Sequence, residues 1–343
     1  PENKTEKTSK KEKISYWAGS ASIFPGLLLS GSGLYVAGNK KAAKKLFYLN
    51  GVGLALFAAG AIPLALSNSF RHLSPIAIPF ALAGGFTILN SQFLDSISSF
   101  NLTKFLGKHP GKIPWLIINL GYFHIDDSQF SHEHFQKSSV DFNYRALSTK
   151  LVLWKDYAAG TFKVRSKLGF TFLGNTVSEQ ETHFSYLRLS SAFSWHKIPD
   201  QKLKIMTMEL FFEGRYDHGR LDKAFSGTFS EFQFGYGLES VKYNPGDTYF
   251  SQGKTRDFLI FSYGFGWYLG DARNNHAEMV FYYNHRQDNY AGGMELKISG
   301  YGVAGYAGLK TRYFFSQNWG VYSDFHYGGG LGINLGLIYR RIK

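Results

Sequence analysis

Two hydrophobic patterns divide the chain. Between Ile14 and Leu94 apolar residues run in blocks, and from about Lys112 to Lys343 they alternate with polar ones. The blocks are three uncharged stretches, Ile14 to Asn39, Leu46 to Phe70 and Leu73 to Leu94, each able to cross a bilayer at roughly 20 residues per helical span. Gly, Ser and Pro dilute them, with Pro25, Gly31, Pro63, Pro75, Pro79, Gly84 and Gly85 predicting kinks or breaks. Small residues four apart at Gly51, Ala55 and Ala59 predict a face where helix backbones approach closely or meet lipid. Lys40, Lys41, Lys44 and Lys45 place a basic cluster, read as a turn at a head-group layer, between the first two stretches. A buried hairpin in a soluble core would have similar lengths. The dilution favours membrane association, because a strongly apolar span would be retained in the inner membrane of a protein bound for the outer one.

The alternating part predicts antiparallel strands joined by Gly, Asn and Asp turns. From Lys204 to Arg215, Met206, Met208, Leu210 and Phe212 share one face, and Thr207, Glu209, Glu213 and Arg215 the other. From Thr228 to Glu239, Phe232, Phe234, Tyr236 and Leu238 oppose Glu231, Gln233 and Glu239. Similar alternation at 114–125, 139–157, 162–173, 182–196, 258–269, 276–286, 297–314, 318–327 and 331–342 brings the expectation to about 10 to 12 strands. These are long enough for tilted transmembrane strands. Trp115, Trp154, Tyr157, Trp195, Tyr216, Trp267, Tyr268, Trp319 and Tyr339 stand toward strand ends, where interfacial girdles belong.

Composition agrees with this division. The 343 residues hold 38 basic and 25 acidic side chains, a formal net charge of +13, with only 18% charged and 17% aromatic residues. Mean hydropathy is −0.19, too low for a bundle made wholly of membrane helices. There is no Cys, which excludes disulfide frameworks, cysteine nucleophiles and thiolate metal sites. Residues 1–13, with Lys4, Lys7, Lys10, Lys11 and Lys13, read as a flexible basic tail, either solvated or resting on anionic head groups.

Candidate chemistry is sparse. Arg145, Lys163, Arg165, Lys167, Glu209, Glu213, Arg215, Glu231, Glu239, Glu278 and Arg286 fall on the polar faces and are expected to point into a lumen. There they either form opposed rows that set a transverse field across a pore or pair with one another. His132, Glu133 and His134, following Asp126, Asp127 and Ser131, could hold a metal only in a turn, and a solvated polar loop is the simpler reading. Asp324 and His326 share a face, with Ser323 opposite them, so a hydrolytic triad would have to recruit Ser299 or Ser316. Basic residues are not gathered with aromatics along one groove, which argues against nucleic acid.

The last segment, with Asn334, Gly336 and Tyr339 before Arg340, Arg341, Ile342 and Lys343, resembles the C-terminal assembly signal of bacterial outer-membrane proteins, except that it lacks a terminal aromatic. The whole layout resembles the porin-like major outer-membrane protein of predatory bacteria. That resemblance implies subunits that join β-walls around a patch of membrane lipid, and it carries over no functional residues.

The expected fold is mainly β: a transmembrane antiparallel β-barrel or composite β-wall of about 10–12 strands, preceded by a short α-helical membrane-associated region. The expected domains are a basic tail (1–13), a Gly/Pro-rich hydrophobic helical region (14–111) and the barrel or wall (112–343). The expected function is that of an oligomeric, porin-like structural protein of the Gram-negative outer membrane, with no enzyme activity, cofactor or metal. Its partners would be membrane lipids and further copies of itself, and not nucleic acid. A chain that begins at Pro1 is expected to have lost a signal peptide. Two alternatives stay open, a monomeric small-barrel lipid hydrolase and a narrow diffusion channel.

Overall fold

A computed structural model describes residues 16–66, 70–107, 113–126, 134–175, 184–199, 202–242, 255–270, 275–285, 295–296, 302–303, 305–328 and 330–342. These form two compact units, one of residues up to 106 together with 218–228, and one of 107–217 with 229–343.

The second unit is a closed antiparallel barrel. Its strands are β1 (Leu116–Asp126), β2 (His134–Tyr144), β3 (Leu147–Lys155), β4 (Phe162–Gly174), β5 (Tyr186–Ile198), β6 (Leu203–Asp217), β7 (Thr228–Lys242), β8 (Thr255–Gly270), β9 (His276–Asn284), β12 (Tyr306–Phe314), β13 (Trp319–Tyr327) and β14 (Leu331–Arg341). A separate two-stranded ribbon pairs β10 (Glu295–Leu296) with β11 (Gly302–Val303). The barrel strands follow one another around the wall as a meander, and β1 closes on β14 in register from Leu116↔Arg341 to Asp126↔Leu331. Closure decides between the two expected architectures in favour of the barrel. A composite wall would leave edge N–H and C=O groups for a neighbouring chain to cover, and here one chain pairs both of its own edges.

Alternation places large apolar side chains outside, where Leu120, Leu210, Phe281 and Leu335 are each more than half exposed. Polar and small residues point inward. Gly121 lies opposite Gly336 in the β1–β14 ladder. A Cβ at either would collide with the backbone of the other strand and with the Tyr322 side chain. The pair of glycines thus makes room for one inward tyrosine.

Two local expectations change. The span 139–157 is not one strand but the β2–β3 hairpin, turning at Arg145 with φ of 51°. Of the aromatics expected at the girdles, Trp154 and Tyr268 point inward, Trp154 lining an interior cavity and Tyr268 fully buried. At the strand ends near Trp115 a girdle does form, with Trp115 against Phe142 (5.8 Å) and Trp319 against Tyr339 (4.9 Å).

The first unit is built from α1 (16–23), α2 (Ser32–Val36), α3 (Lys40–Leu66) and α4 (Phe70–Ser99). The block Ile14 to Asn39 is therefore not one span, because turns from Phe24 to Gly31, with Gly31 at φ 104°, divide it. The lysine cluster is not a turn either. Asn39 caps α3, its Oδ1 accepting from the Ala42 N–H at 3.2 Å, so Lys40, Lys41, Lys44 and Lys45 fall in the first two turns of that helix. α3 runs on through Pro63. Both long helices have the length and composition to cross a membrane, with mean hydropathies of 1.8 and 1.3 over their most apolar windows.

Close approach of α3 and α4 uses a different stripe from the one expected. A Cβ on Gly60 would lie 2.3 Å from the Ala81 nitrogen, and one on Gly84 2.2 Å from the Phe57 nitrogen. Gly51, Ala55 and Ala59 lie on an exposed face of α3, and a Cβ on Gly51 would meet nothing within 4 Å. Sequence spacing alone could not choose between these stripes, since both repeat small residues at helical intervals.

A fully buried carboxylate organises this unit. Asp95 on α4 accepts from the backbone N–H groups of Gly31 (2.8 Å), Gly33 (3.2 Å) and Leu34 (3.0 Å), and from the Ser99 hydroxyl (3.1 Å). It thereby satisfies the orphan donors at the start of α2. Segment 218–228 belongs to the same unit. Lys45 Nζ pairs with Asp222 (2.9 Å) and donates to the Leu221 carbonyl, and the Ser98 hydroxyl donates to the Ala224 carbonyl at 3.0 Å.

His218 is the buried histidine of this segment. Its Nε2 accepts from the Asn90 amide at 3.3 Å and its Nδ1 meets the Thr228 hydroxyl at 2.9 Å, a set of partners that suits a neutral ring. Burial lowers its pKa to about 3. Because the folded value lies below the unfolded 6.5, this contribution to stability is whole above pH 6.5 and shrinks as pH falls toward the folded value. The loss is on the order of 1 kcal/mol per pH unit. Protection of segment 218–228 against hydrogen exchange, taken relative to the intrinsic exchange rate at each pH, should therefore fall between pH 6.5 and 4, and His218→Gln should flatten that dependence. Protection that stays constant over this interval in the unaltered protein would contradict it.

Candidate functional site

The candidate site is the barrel lumen. Its polar residues are there because strand parity fixes them: every second residue of a strand faces inward, and the outward set is apolar. One cavity, of about 230 Å³, takes lining residues from β1 to β7 and from β9, β12 and β14, including Asp141, Lys150, Lys167, Arg215, Glu278 and Arg340. A second, of about 380 Å³, is lined by Lys137, Arg165, Phe211, Lys310, Asp324 and Asn334 among others. Contributions from all around the wall identify both as interior.

Charges of both signs line the lumen. Strands β2 to β5 supply Lys137, Lys150, Lys163, Arg165, Lys167 and Arg188, and strands β6, β7 and β9 supply Glu209, Glu213, Glu231 and Glu278. The two sets meet through ion pairs. Arg165 Nη2 lies 2.6 Å from Glu209, and Lys167 Nζ 2.8 Å from Glu213, each reaching from β4 past β5 to β6. Glu213 also accepts from Ser190 at 2.8 Å and lies 3.5 Å from Arg188. Arg215 binds Glu231 and Glu278, both at 3.2 Å, with its guanidinium 3.8 Å from the Phe229 ring centroid. Glu278 stands on β9, separated from β6 by two strands, which at about 4.8 Å per strand can be bridged only across the inside of a curved wall.

The side chains expected in the lumen divide as follows. Lys163, Arg165, Lys167, Glu209, Glu213, Arg215, Glu231 and Glu278 stand at inward positions. Glu239 is buried and pairs with Arg256 at 2.6 Å. Arg145 does not face inward: it occupies the exposed β2–β3 turn, with its guanidinium 5.5 Å from the Tyr144 ring centroid. Arg286 lies outside the described residues.

Sequence reading missed Asp141 and Lys150, because 139–157 read as one span, and Lys137, which precedes that span. It also missed Lys310 and Arg312, although Leu309, Thr311 and Tyr313 alternate with them. The period-two signal was present in both places.

Among the described residues, the positions weighed for hydrolysis and metal binding do not assemble into one centre. Asp324 Oδ1 accepts from the Tyr282 hydroxyl at 2.7 Å and lies 3.9 Å from His326 Nδ1. Ser323 Oγ, by contrast, bonds Thr311 at 2.5 Å. Ser316 accepts from the Trp319 N–H at 2.9 Å in the β12–β13 turn, at the other end of β13 from His326. Ser299 lies outside the described residues, as do Asp127, Ser131, His132 and Glu133. His134 bonds the Tyr122 hydroxyl and stacks on His124 with centroids 5.2 Å apart. Among the described residues no three His, Cys, Asp or Glu side chains are grouped to hold a metal ion.

No family model matches the sequence, and no curated protein does. Several solved outer-membrane barrels align with it at low identity. The KdgM porin aligns over 65% of this chain and 98% of its own, at 8% identity and a TM-score of 0.39. Outer membrane phospholipase A from Escherichia coli aligns over 68% and 93%, at 13% identity and 0.39. Omp33 of Acinetobacter baumannii aligns over 67% and 99%, at 8% identity and 0.34. At these values the likeness says nothing of activity, and the barrel assignment rests on the strand pairing of this chain itself.

The ion-pair network implies a specific cost. Glu213→Gln leaves Lys167 and Arg188 without their carboxylate, a loss of about 3–5 kcal/mol for a buried pair with one partner removed. Arg341→Gln, on an exposed arginine at the end of β14, should change stability by less than about 1 kcal/mol. Unfolding of the detergent-solubilised protein by denaturant checks both, and equal midpoints for the two variants would refute the network.

Proposed function

We propose that the chain is a porin-like barrel of the Gram-negative outer membrane that admits small polar solutes into a narrow, charge-lined lumen, without catalysis. The observation that carries this reading is the division of one closed wall into an exposed apolar outside and an inside of paired charges. A soluble barrel would have the opposite division, because water would meet the apolar face. Twelve strands enclose less space than the 16–18 that leave a wide aqueous channel, and ion pairs cross the space that is there. The account therefore favours the narrow diffusion channel over a wide pore.

The helical unit fits a place against lipid. Phe80, Leu89 and Phe93 on α4 and Val52, Leu54 and Phe57 on α3 are all exposed, a larger apolar surface than a soluble domain leaves in water. Membrane lipid is the partner proposed for that surface. Association of several copies around lipid is compatible with it but is not required to complete the barrel, which closes within one chain.

Reconstitution into planar bilayers tests the function. The protein should give small, discrete conductance steps, and Arg215→Ala, which removes an ion-pairing side chain from the lumen, should enlarge them. Correctly folded protein that inserts without conducting would contradict the reading.

A further inference from the structure

Lys137 on β2, Lys163 on β4 and Lys310 on β12 converge on one end of the lumen. They line a cavity of about 140 Å³ together with Arg165, Asp324 and His326. It has Lys137, Trp154, Arg165, Lys310 and Asp324 in common with the cavity of about 380 Å³, so the two are neighbours.

Lys150, Arg165, Lys167 and Arg215 each meet a carboxylate within 3.2 Å. Beside Lys137 and Lys310 stand aromatic rings. Lys137 Nζ lies 5.3 Å from the Phe123 centroid and 5.5 Å from that of Trp154, which Lys163 Nζ also approaches to 5.5 Å. Lys310 Nζ lies 4.0 Å from the Tyr282 centroid. A ring face stabilises an ammonium group without cancelling its charge. Asp324 is the single carboxylate lining the smaller cavity, and its Oδ1 is already engaged by Tyr282 at 2.7 Å. Lys137 Nζ reaches the neutral Asn334 amide oxygen at 2.9 Å when that amide is turned toward it. Among the described residues neither Lys137 nor Lys310 has a carboxylate oxygen within 4.0 Å, and Asp324 acts on both from farther away.

A concave, partly desolvated site with an excess of positive charge is completed by an anion, since attraction between charges strengthens as water is excluded. We propose that this end of the lumen binds a small oxyanion, a phosphate or a carboxylate, held by Lys137 and Lys310 with Lys163 and Arg165 nearby. Asp324 opposes the anion and so sets an upper limit on affinity. The inference rests on the lumen of the proposed channel but not on conduction through it.

Isothermal titration of the full-length protein in detergent at low ionic strength tests it, with inorganic phosphate and citrate as separate probes. Saturable binding of one or both is expected. Phosphate alone would identify the ligand class as phosphates, citrate alone as carboxylates, and both as oxyanions generally. Lys137→Gln with Lys310→Gln should weaken binding by about tenfold or more, and Asp324→Asn should tighten it several-fold. The second effect is a gain that misfolding cannot imitate. Lys155→Gln with Arg341→Gln removes the same charge from outward positions and should change affinity by less than about twofold. Absence of saturable binding with either probe, or an equal loss in the outward control, would overturn the site. Binding that persists in protein unable to conduct would overturn the channel and leave the site standing.

Discussion

The pairing of β1 with β14 is the contact on which the rest of the barrel depends. A sheet in hydrocarbon has no water to satisfy its edges, and each unpaired N–H or C=O costs several kcal/mol there. Joining Leu116 through Asp126 to Arg341 through Leu331 removes both edges at once. Everything else about the wall follows from the same closure: it creates an inside, and parity then sends each alternate residue into it. The glycines at 121 and 336 show how closely the seam is fitted, since they admit Tyr322 where two side chains would exclude it.

Once closed, the lumen must accommodate many charges in little space. Most are neutralised in pairs that reach past a neighbouring strand, as Arg165 does to Glu209 and Arg215 to Glu278. Such pairs balance the loss of hydration against direct attraction, so the network defines the lumen's shape more than it adds to stability. Near Asp324 this balance is not reached within the protein. There Lys137 and Lys310 rest on rings, and the proposed oxyanion would meet their charge. The helical unit solves a related problem with one side chain, Asp95, whose carboxylate collects the backbone donors of a glycine turn that has no water to meet them.

Legibility in the sequence followed the strength of periodic signals. In β6, Met208, Leu210 and Phe212 oppose Glu209 and Glu213 so regularly that the sequence alone assigns each side chain its face. The β2–β3 hairpin was lost because its turn at Arg145 has a positive φ without the Gly or Asn that usually marks one. Asp141 and Lys150 were lost with it. Helix packing was misplaced for another reason: Gly51, Ala55 and Ala59 and the stripe through Gly53 and Gly60 look alike in sequence. Only the partner helix, through Gly84, distinguishes them. The lysine cluster at the start of α3 reads as a turn because Gly38 and Asn39 precede it between two apolar stretches, and four lysines also oppose the dipole at a helix N-terminus. The pairing of Lys45 with Asp222, far away in sequence, offsets part of that conflict.

The central claim is that lipid covers one face of the wall and the lumen the other. The chain has no cysteine, so single cysteines placed one at a time from position 207 to 213 on β6 report their surroundings without background. In proteoliposomes, spin labels at Met208, Leu210 and Phe212 should be accessible to oxygen in the bilayer and shielded from a water-soluble relaxant. Labels at Thr207, Glu209, Phe211 and Glu213 should show the reverse or be shielded from both. A clear period of two is the result the account predicts, and uniform access of the water-soluble relaxant to all seven positions would contradict it.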